Sequence, residues 1–582
     1  MRHHWNSFLY QLHDRDWDRG GTIMLAGAVV GVLSGVVVIG FYGLIDLSHL
    51  ALKAWPERHV SEIPAAIFGV GLTSFGLWLA WYVARRAGVA EGQNVPDVQR
   101  AVAKRGGIIS SRAVAARTFA SAITLGSGAS VGGEGPIAVL GAAVGSQLGR
   151  RLKFQPRHLK ILVGCGAAAG IAGAFNAPFA GAFFALEEIL GSFSVGAFSP
   201  VVIASVVGAL TVEAVLGTRL AFHMPAIADG HHLANALLYP ILGIACGLVS
   251  ALYSRLDGIA PSILRRIPGP EWVRPVVGGA VVGVVGLASG GLLAGNGHLA
   301  LPDEVFGGLA RYVLIALAFA KMLATIISLS AGGSGGVFTP ALFIGASLGG
   351  GVGTLLADIV PGDVVHPASW ALVGMAGLVS GATRAPLTAI FMVFELTNDS
   401  SYVAPLMIVS VVAFVTARRF STYGLYDGWL ARRGEYLTHG YDAAIMDHLN
   451  VREAVNHVAP RVAAHLPVAA VASVMGDERV STLPVLEETG ALLGVISSQE
   501  LHDVLQLPSD RRRELTAKDV VVTVTTLQST MSLNEALAAM AAVGRDALPV
   551  VDADSDGVQR FAGMLTRGAV FSVYDRALQQ FE

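Results

Sequence analysis

The chain has 582 residues, of which 53% are hydrophobic and 14% are charged, and its net charge is -2. About a quarter of the residues in a typical soluble domain are charged, so this composition excludes a soluble enzyme, and the near-neutral balance gives no case for nucleic acid as a partner. The 70 glycines favour a multi-pass α-helical membrane protein, because glycine lets helices in a bilayer pack closely.

Charge density divides the chain into two parts. Residues 1–440 carry 52 charged side chains, whereas the last 142 residues carry 30. We therefore predict a membrane domain over residues 1–440 and a cytoplasmic domain over residues 441–582.

The membrane part contains long uncharged runs at 275–302, 322–357 and 400–417. A span needs about 20 apolar residues, but glycine, proline and serine interrupt several of these runs. Irregular backbone at membrane depth is tolerated where protein buries it or water reaches it, so we predict tilted and half-spanning helices. Basic clusters mark the cytoplasmic loops and place both termini in the cytoplasm: Arg85–Arg86, 150–160, Arg265–Arg266, Arg418–Arg419 and Arg432–Arg433.

Glu134 is the only charged residue between Arg117 and Arg150, and it lies in the glycine-rich segment Gly132–Pro136. A carboxylate at membrane depth is costly and usually functional. Glycine frees backbone N–H groups, and proline suits the first turn of a helix, whose N-terminus attracts anions. Glu134 could occupy such an anion site and leave it when protonated, as gate and proton carrier in one group. The alternative is a carboxylate that only caps its own helix.

The uncharged segment Gly332–Pro340 has the same form as the segment around Glu134, with Phe338 at the position of the glutamate. The backbone N–H groups of Val337, Phe338 and Thr339 are predicted to face the same cavity. The alternative for this segment is a glycine-packed helix crossing.

Two sets of matches indicate an internal repeat. Segment 134–149 matches 338–353 at an offset of 204, and segment 173–187 matches 381–395 at an offset of 208. Repeated halves with interrupted helices at corresponding positions are typical of transporters, whose binding site lies between the halves.

The tail also repeats, with similar segments at 483–501 and 548–568. Short apolar strands beside helical stretches predict two small α/β units there, over about 441–508 and 515–582.

Together these motifs resemble the CLC family of chloride channels and chloride/proton antiporters, with a tandem CBS pair as the tail. Gly132–Pro136 is similar to the family's G-K/R-E-G-P motif, with Gly133 in place of the basic residue, and Gly336–Pro340 matches its G-x-F-x-P motif. Phe175–Pro178 and the segment around Tyr426 resemble two further family stretches. The resemblance covers about 20–435. It implies an all-α polytopic membrane domain, built as an inverted repeat of interrupted and tilted helices, and a cytoplasmic α/β CBS pair, in a homodimer with one pore per subunit.

The resemblance also implies roles for single residues. Glu134 would be the gating glutamate, the Tyr426 hydroxyl would coordinate the central anion, and backbone amides would complete the anion sites. Those amides belong to Glu134, Gly135, Val337, Phe338 and Thr339.

The family's G-S-G-I-P motif is represented by Gly92–Pro96, where Gln93 replaces the serine. The amide of Gln93, or that of Asn94 in a register shifted by one, can still donate to an anion. A loop-turn role is the alternative for both residues. This departure leaves the choice of anion open.

Glu187 and Glu188 end an apolar stretch. The resemblance implies that Glu188 is the internal proton-transfer glutamate, which favours proton-coupled exchange over passive conduction. Two helix-end carboxylates facing cytoplasmic water are the alternative. Glu395 repeats Glu187 in the second half, and we interpret it as structural.

In the tail, the resemblance implies a nucleotide site at Ser497, Glu500 and Thr566, with the Glu500 carboxylate on the ribose of an adenine nucleotide. Ala569 stands where the second unit would need an acid. The alternative is a cytoplasmic domain that only stabilises a dimer.

The sequence thus predicts a non-enzymatic chloride transporter of the bacterial inner membrane, working by chloride/proton antiport, that requires no cofactor or metal. Its partners would be a small anion, protons, the bilayer and a second copy of the chain. The alternatives are a passive voltage- or pH-gated chloride channel and, further off, a CBS-regulated transporter of another ion. No Gly-Lys pair of a phosphate loop occurs, so an ATP-driven pump is excluded.

Overall fold

The chain divides into two units, Met1–Leu437 and Thr438–Glu582, next to the predicted boundary at 440. The structure is a computed structural model, which describes residues 20–54, 65–89, 95–217, 233–296, 309–360, 365–433, 446, 449–478, 480–506, 508–553 and 559–581.

All the regular elements in the described part of the first unit are helices. Eight of its helical stretches are long and apolar enough to cross a membrane. The helices of the first half are α1 (Gly20–His49), α2 (Ala65–Arg86), α3 (Val95–Lys104), α4 (Ser111–Gly126), α5 (Glu134–Arg151), α6 (Pro156–Phe175), α7 (Pro178–Phe184) and α8 (Val195–Leu216). The helices of the second half are α9 (Leu233–Leu264), α10 (Val273–Ala288), α11 (Arg311–Ser330), α12 (Phe338–Ala357), α13 (Pro367–Thr383), α14 (Pro386–Thr397), α15 (Val403–Phe420) and α16 (Leu425–Ala431).

Short helices alternate with long ones, as the interrupted apolar runs predict. The helices α7 and α16 have 7 residues each and α14 has 12, too few to cross a bilayer. Proline explains two of these boundaries, because Pro178 and Pro386 each occupy the first position of a helix, where the missing N–H costs no hydrogen bond.

Glycine allows the central helices to cross in backbone contact. A Cβ on Gly141 in α5 would overlap the carbonyl oxygen of Gly166 in α6, and a Cβ on Gly166 would overlap that of Gly141. The second half repeats this reciprocal contact between Gly345 in α12 and Gly374 in α13. Since 141 and 345 differ by 204, and 166 and 374 by 208, the sequence repeat is also a repeat of helix packing.

The two halves meet through residues that are each other's repeat equivalents. The rings of Phe183 and Phe391 stack with centroids 4.3 Å apart and planes 4° from parallel. Gly132 and Gly336 form an antiparallel bridge. A residue lies against its own equivalent only near a two-fold axis, and antiparallel pairing requires that the halves run in opposite directions. The predicted inverted repeat is therefore present in the fold.

The second unit contains two small sheets with helices. In the first sheet, β1 (Val462–Ala463) pairs parallel to β2 (Thr482–Leu486), which pairs antiparallel to β3 (Leu492–Ser497). In the second sheet, β4 (Ala547–Ala553) and β5 (Gln559–Thr566) are antiparallel. The helices are α17 (Val451–Ala454), α18 (Val468–Asp477), α19 (Ser498–Leu505), α20 (Ser509–Glu514), α21 (Ala517–Val520), α22 (Leu533–Val543) and α23 (Arg567–Phe581).

Each sheet of the second unit has its own apolar core. Val485 and Ile496 are buried beneath the first sheet, and Leu548 and Leu565 beneath the second. The tail is therefore a pair of α/β units.

Candidate anion site and its carboxylates

The two glycine-rich segments of the repeat pair with each other. Gly132 and Gly336 exchange backbone hydrogen bonds, with N···O distances of 2.8 and 2.7 Å. Helix α5 begins at Glu134 and helix α12 at Phe338, each two residues after this bridge. The N-termini of two long helices, one from each half, therefore meet inside the protein.

The Glu134 carboxylate lies on the N-terminus of the other half's helix. Its residue is 3% exposed, the Phe338 N–H donates to Oε1 at 2.6 Å, and the Thr339 hydroxyl donates to Oε2 at 2.8 Å. A Cβ at Gly132 or Gly336 would overlap the carboxylate, so glycine makes room for it at both positions. Glu134 thus engages a second helix rather than only its own, and it occupies donors that suit an anion.

The other predicted amide positions lie at the starts of the same two helices. Gly135 lies against the backbone of Gly336, and Val337 is fully buried immediately before α12. Thr339 contributes its hydroxyl, a donor in addition to the predicted backbone N–H. The structure therefore brings Gly135, Phe338 and Thr339 close to Glu134, and Val337 precedes Phe338 in the chain.

Tyr426 is placed in the first turn of α16 and is 2% exposed. Its hydroxyl has no hydrogen-bond partner among the described residues. A buried hydroxyl normally has a partner, and an anion could accept a hydrogen bond from it. Tyr426 interacts electrostatically with both candidate proton carriers, Glu134 and Glu188, and with the buried Tyr253 of α9. No sequence motif pointed to Tyr253.

Gln93 and Asn94, the predicted replacements for the family's serine, lie outside the described residues.

Glu188 is buried, with 5% exposure, in the π-helical turn Ala185–Ile189 that follows α7. The Gln99 amide, from α3, donates to its carboxylate Oε2 at 3.0 Å and to its backbone carbonyl at 2.9 Å. A carboxylate held in this way does not face open water. Gln99 was not among the predicted residues, although α3 directly follows the candidate anion motif in sequence.

Glu187 and Glu395 cap helices of opposite halves. The Glu187 carboxylate accepts the backbone N–H groups of Leu387 at 3.1 Å and Thr388 at 2.8 Å, at the start of α14. Glu395 accepts those of Phe179 at 2.9 Å and Ala180 at 2.7 Å, at the start of α7. The two repeat-related glutamates thus satisfy orphan donors of each other's half, and this geometry gives both a structural role.

We expect Glu395→Ala to lower the thermal stability of the detergent-solubilised protein without changing its transport stoichiometry. Loss of a helix cap costs about 1–2 kcal/mol, and here two backbone donors lose their acceptor. Differential scanning fluorimetry measures the first effect and a flux assay in liposomes measures the second. A change in stoichiometry would contradict the structural role.

A comparison with known families decides the identity of the membrane unit. The protein-family model for the voltage gated chloride channel matches residues 75–418, which is more than half of the chain. The chain belongs to this family, the CLC family. The predicted CLC-type fold class is confirmed, and the chain is a multi-pass membrane protein.

Relatives of this CLC chain include both channels and exchangers by name. The chloride channel protein ClcB-like of Ralstonia nicotianae is 35% identical over 340 residues, covering 58% of this chain and 79% of its own length. The H(+)/Cl(-) exchange transporter ClcA of Yersinia pestis is 27% identical over 428 residues, covering 70% and 87%.

Two solved structures share the fold. A slow cyanobacterial Cl⁻/H⁺ antiporter has a TM-score of 0.65 at 24% identity, over 71% of this chain and 97% of its own. A eukaryotic CLC transporter has a TM-score of 0.61 at 20% identity, over 97% of this chain and 98% of its own.

The tail of this CLC protein matches the CBS domain model twice, over residues 451–506 and 513–576. Its predicted nucleotide residues are engaged within the unit. Glu500 caps its own helix by accepting the backbone N–H and the hydroxyl of Ser497, and Arg545 donates to its Oε1 at 2.5 Å. Thr566 accepts the backbone N–H of Ala569 at 3.1 Å. A ribose would have to compete with Arg545 for Glu500.

The Glu500–Arg545 ion pair predicts a pH dependence. Partial burial alone would raise the pKa of Glu500, but hydrogen bonds from Ser497 and Arg545 outweigh it and lower the pKa to about 2, from a usual value of 4.5. A lowered folded-state pKa gives stability that is present above the unfolded pKa and lost as pH falls toward the folded one. Glu500→Gln should therefore reduce the hydrogen-exchange protection of α19 in the full-length chain at pH 7. The difference from the wild type should shrink at pH 3, and a difference that stays constant would contradict the assignment.

Proposed function

We propose that this CLC protein exchanges chloride for protons across a membrane, with Glu134 as the gate and Glu188 as the inner proton acceptor. One observation carries the proposal, namely that the Glu134 carboxylate accepts the Phe338 N–H at 2.6 Å. The N–H of Phe338 and the hydroxyl of Thr339, which also donates to Glu134, would suit a chloride ion equally well. The ion and the carboxylate therefore compete for the same site.

The competition couples the two ions. While Glu134 is ionised, it holds the donors of α12 and blocks the anion path. Protonation removes its charge and weakens its hold on Phe338 and Thr339, so a chloride ion can replace it. Among the described residues, the groups that donate to Glu134 belong to Phe338 and Thr339, which carry no charge, and neutral dipoles release an anion faster than a fixed cation would.

Proton transfer between the gate and the inner side would pass near Tyr426 and Tyr253. Both hydroxyl groups are buried, and Tyr426 interacts electrostatically with both glutamates. Glu188 would be the inner proton acceptor, because it is a buried carboxylate that interacts electrostatically with Tyr426. Water would have to bridge the remaining gaps.

A passive chloride channel is the second candidate function. The relative from Ralstonia nicotianae, which carries the channel name, supports it. The buried Glu188 favours exchange, since a channel has no need for an acid in a low-dielectric position.

Reconstitution of the full-length protein in liposomes separates the two functions. With a chloride gradient and no proton gradient, an exchanger drives protons uphill, and an internal pH dye records this movement. We expect uphill proton movement that is abolished when the chloride gradient is removed. Chloride flux without proton movement would overturn exchange and favour the channel. Replacing chloride with nitrate or fluoride in the same assay tests which anion is carried.

The same proposal covers the oligomeric state of the protein, its membrane and its orientation. We propose a homodimer in the bacterial inner membrane, with both termini of each subunit in the cytoplasm. The basic clusters at helix ends such as Arg85–Arg86 and Arg418–Arg419 support this orientation. Labelling of single introduced cysteines from either side of the membrane tests the orientation.

We further propose that the CBS pair binds an adenine nucleotide only when Glu500 leaves Arg545. Isothermal titration of the full-length protein with ATP tests this. Arg545→Gln should strengthen binding if Glu500 holds the ribose, and absence of binding in both proteins would favour a purely dimer-stabilising domain.

A further inference from the structure

An aromatic groove of about 1050 Å³ lies along one face of α2. Phe75, Trp78 and Tyr82 follow one another at spacings of three and four, and their rings are in contact, with centroids 5.6 and 5.7 Å apart. Trp272, near the start of α10, forms the opposite side. Phe75 and Trp272 are each 49% exposed, so the groove opens outward from the membrane unit.

An arginine-rich pocket of about 600 Å³ lies beyond the end of the groove. Six arginines line it: Arg86, Arg100, Arg105, Arg112, Arg117 and Arg433. Asp97 is the one acidic side chain among the described lining residues, and it pairs with Arg117 at 2.9 Å. Arg105 and Arg112 also line a neighbouring pocket with Arg150. The surplus of positive charge at this place is therefore large.

The two cavities are neighbours that share one lining residue, Arg86. This residue lines both of them, and its guanidinium lies 5.7 Å from the ring centre of Tyr82 and donates to the Tyr82 hydroxyl at 3.1 Å. The neighbouring Arg85 belongs to the groove, where Glu271 pairs with it. An apolar channel along a membrane span thus ends in a concentration of cations at the end of the same span.

We propose that the groove and the arginine pocket form one binding site for an anionic phospholipid. The acyl chain would lie on Phe75, Trp78 and Trp272, and the phosphate would accept hydrogen bonds from the arginines beyond Arg86. Guanidinium groups match the geometry of phosphate oxygens, and tryptophan and tyrosine favour the membrane interface. Basic pockets between helices on the cytoplasmic side bind such headgroups.

The aromatic groove distinguishes this occupant from others. A chloride ion attracted by the arginines would need no apolar channel, and a soluble phosphate compound would leave the aromatic face uncovered. Only a molecule with an anionic head and an apolar tail complements both cavities at once. Neither Glu134 nor Glu188 lines either cavity, so the proposal does not depend on the exchange mechanism.

Native mass spectrometry of the full-length protein tests the phosphate end. At equal concentrations, phosphatidylglycerol should bind about tenfold more tightly than phosphatidylcholine with the same chains. The double variant Arg105→Gln/Arg112→Gln should lose this preference. Arg265→Gln/Arg266→Gln, which removes two exposed arginines that line neither cavity, is the matched control and should keep it.

A second pair of measurements tests the apolar end. Phe75→Ala/Trp272→Ala removes two half-exposed rings and should weaken binding of long-chain phosphatidylglycerol. Glycerol phosphate, which has the head without the chain, should not compete for the site. Competition by glycerol phosphate would show that the cavities bind a soluble phosphate compound. Equal binding of phosphatidylcholine and phosphatidylglycerol would show only nonspecific lipid contact. Slower chloride flux in the arginine variant with unchanged lipid binding would assign the arginines to anion entry. Each of these three results would overturn the proposal.

Discussion

Glu134→Gln should abolish proton movement while anion flux persists. The side chain of glutamine does not take up or release a proton in water, so the group that carries protons at the proposed gate is lost. Its amide oxygen can still accept the N–H of Phe338, and its NH₂ group can donate to the Thr339 hydroxyl, which can also accept, so the local structure should survive. A neutral side chain holds the helix N-terminus more weakly than a carboxylate, and chloride should displace it without protonation.

The measurement for Glu134 is chloride efflux from liposomes, recorded together with internal pH. Glu395→Gln is a suitable control, because it makes the same chemical change in a membrane carboxylate that caps α7. That variant should remain coupled. If Glu134→Gln folds but carries no chloride, or if it still moves protons uphill, Glu134 is not the gate.

The position of the proposed gate could be predicted from the sequence. Glu134 and Phe338 each begin a helix after a glycine-rich segment and stand at one repeat offset, which predicts that they face a common cavity. The structure adds the Gly132–Gly336 bridge, which joins the two segments directly. This bridge could be anticipated from the repeat, because equivalent residues near a two-fold axis come together.

Residues that reach the site from distant elements could not be predicted in the same way. Gln99 contacts Glu188 across 89 positions of sequence, and Tyr253 comes from the long helix α9. Neither belongs to a motif, and each is an ordinary residue on its own helix. Their roles arise only from tertiary packing, which the sequence periodicity of one helix does not encode.

The adjacent pair Glu187 and Glu188 illustrates a subtler limit. Both are acidic and both follow the same apolar stretch, so their sequence context is nearly identical. The π-helical turn Ala185–Ile189 rotates the chain relative to α7 at this point. Glu187 therefore points to the start of α14 and Glu188 to Gln99, so one residue caps a helix while its neighbour is the proposed proton acceptor.

Glu188→Gln should consequently uncouple transport from the inner side. Glutamine at this position can still accept the hydrogen bond from Gln99, so the π-helical turn should keep its shape. It cannot take up a proton, so the inner carboxylate that interacts electrostatically with Tyr426 is lost. We expect chloride flux to continue and uphill proton movement to disappear.

Glu187→Gln provides the matched control, since it neutralises the adjacent carboxylate of the same turn. Because Glu187 caps α14 through Leu387 and Thr388, its loss should reduce thermal stability but leave proton movement intact. The two variants should therefore have different effects: Glu188→Gln should change the coupling of chloride to protons, and Glu187→Gln should change thermal stability. Coupling that survives in Glu188→Gln and disappears in Glu187→Gln would reverse the assignment, and coupling in both would mean that protons reach Glu134 by a route that avoids this turn.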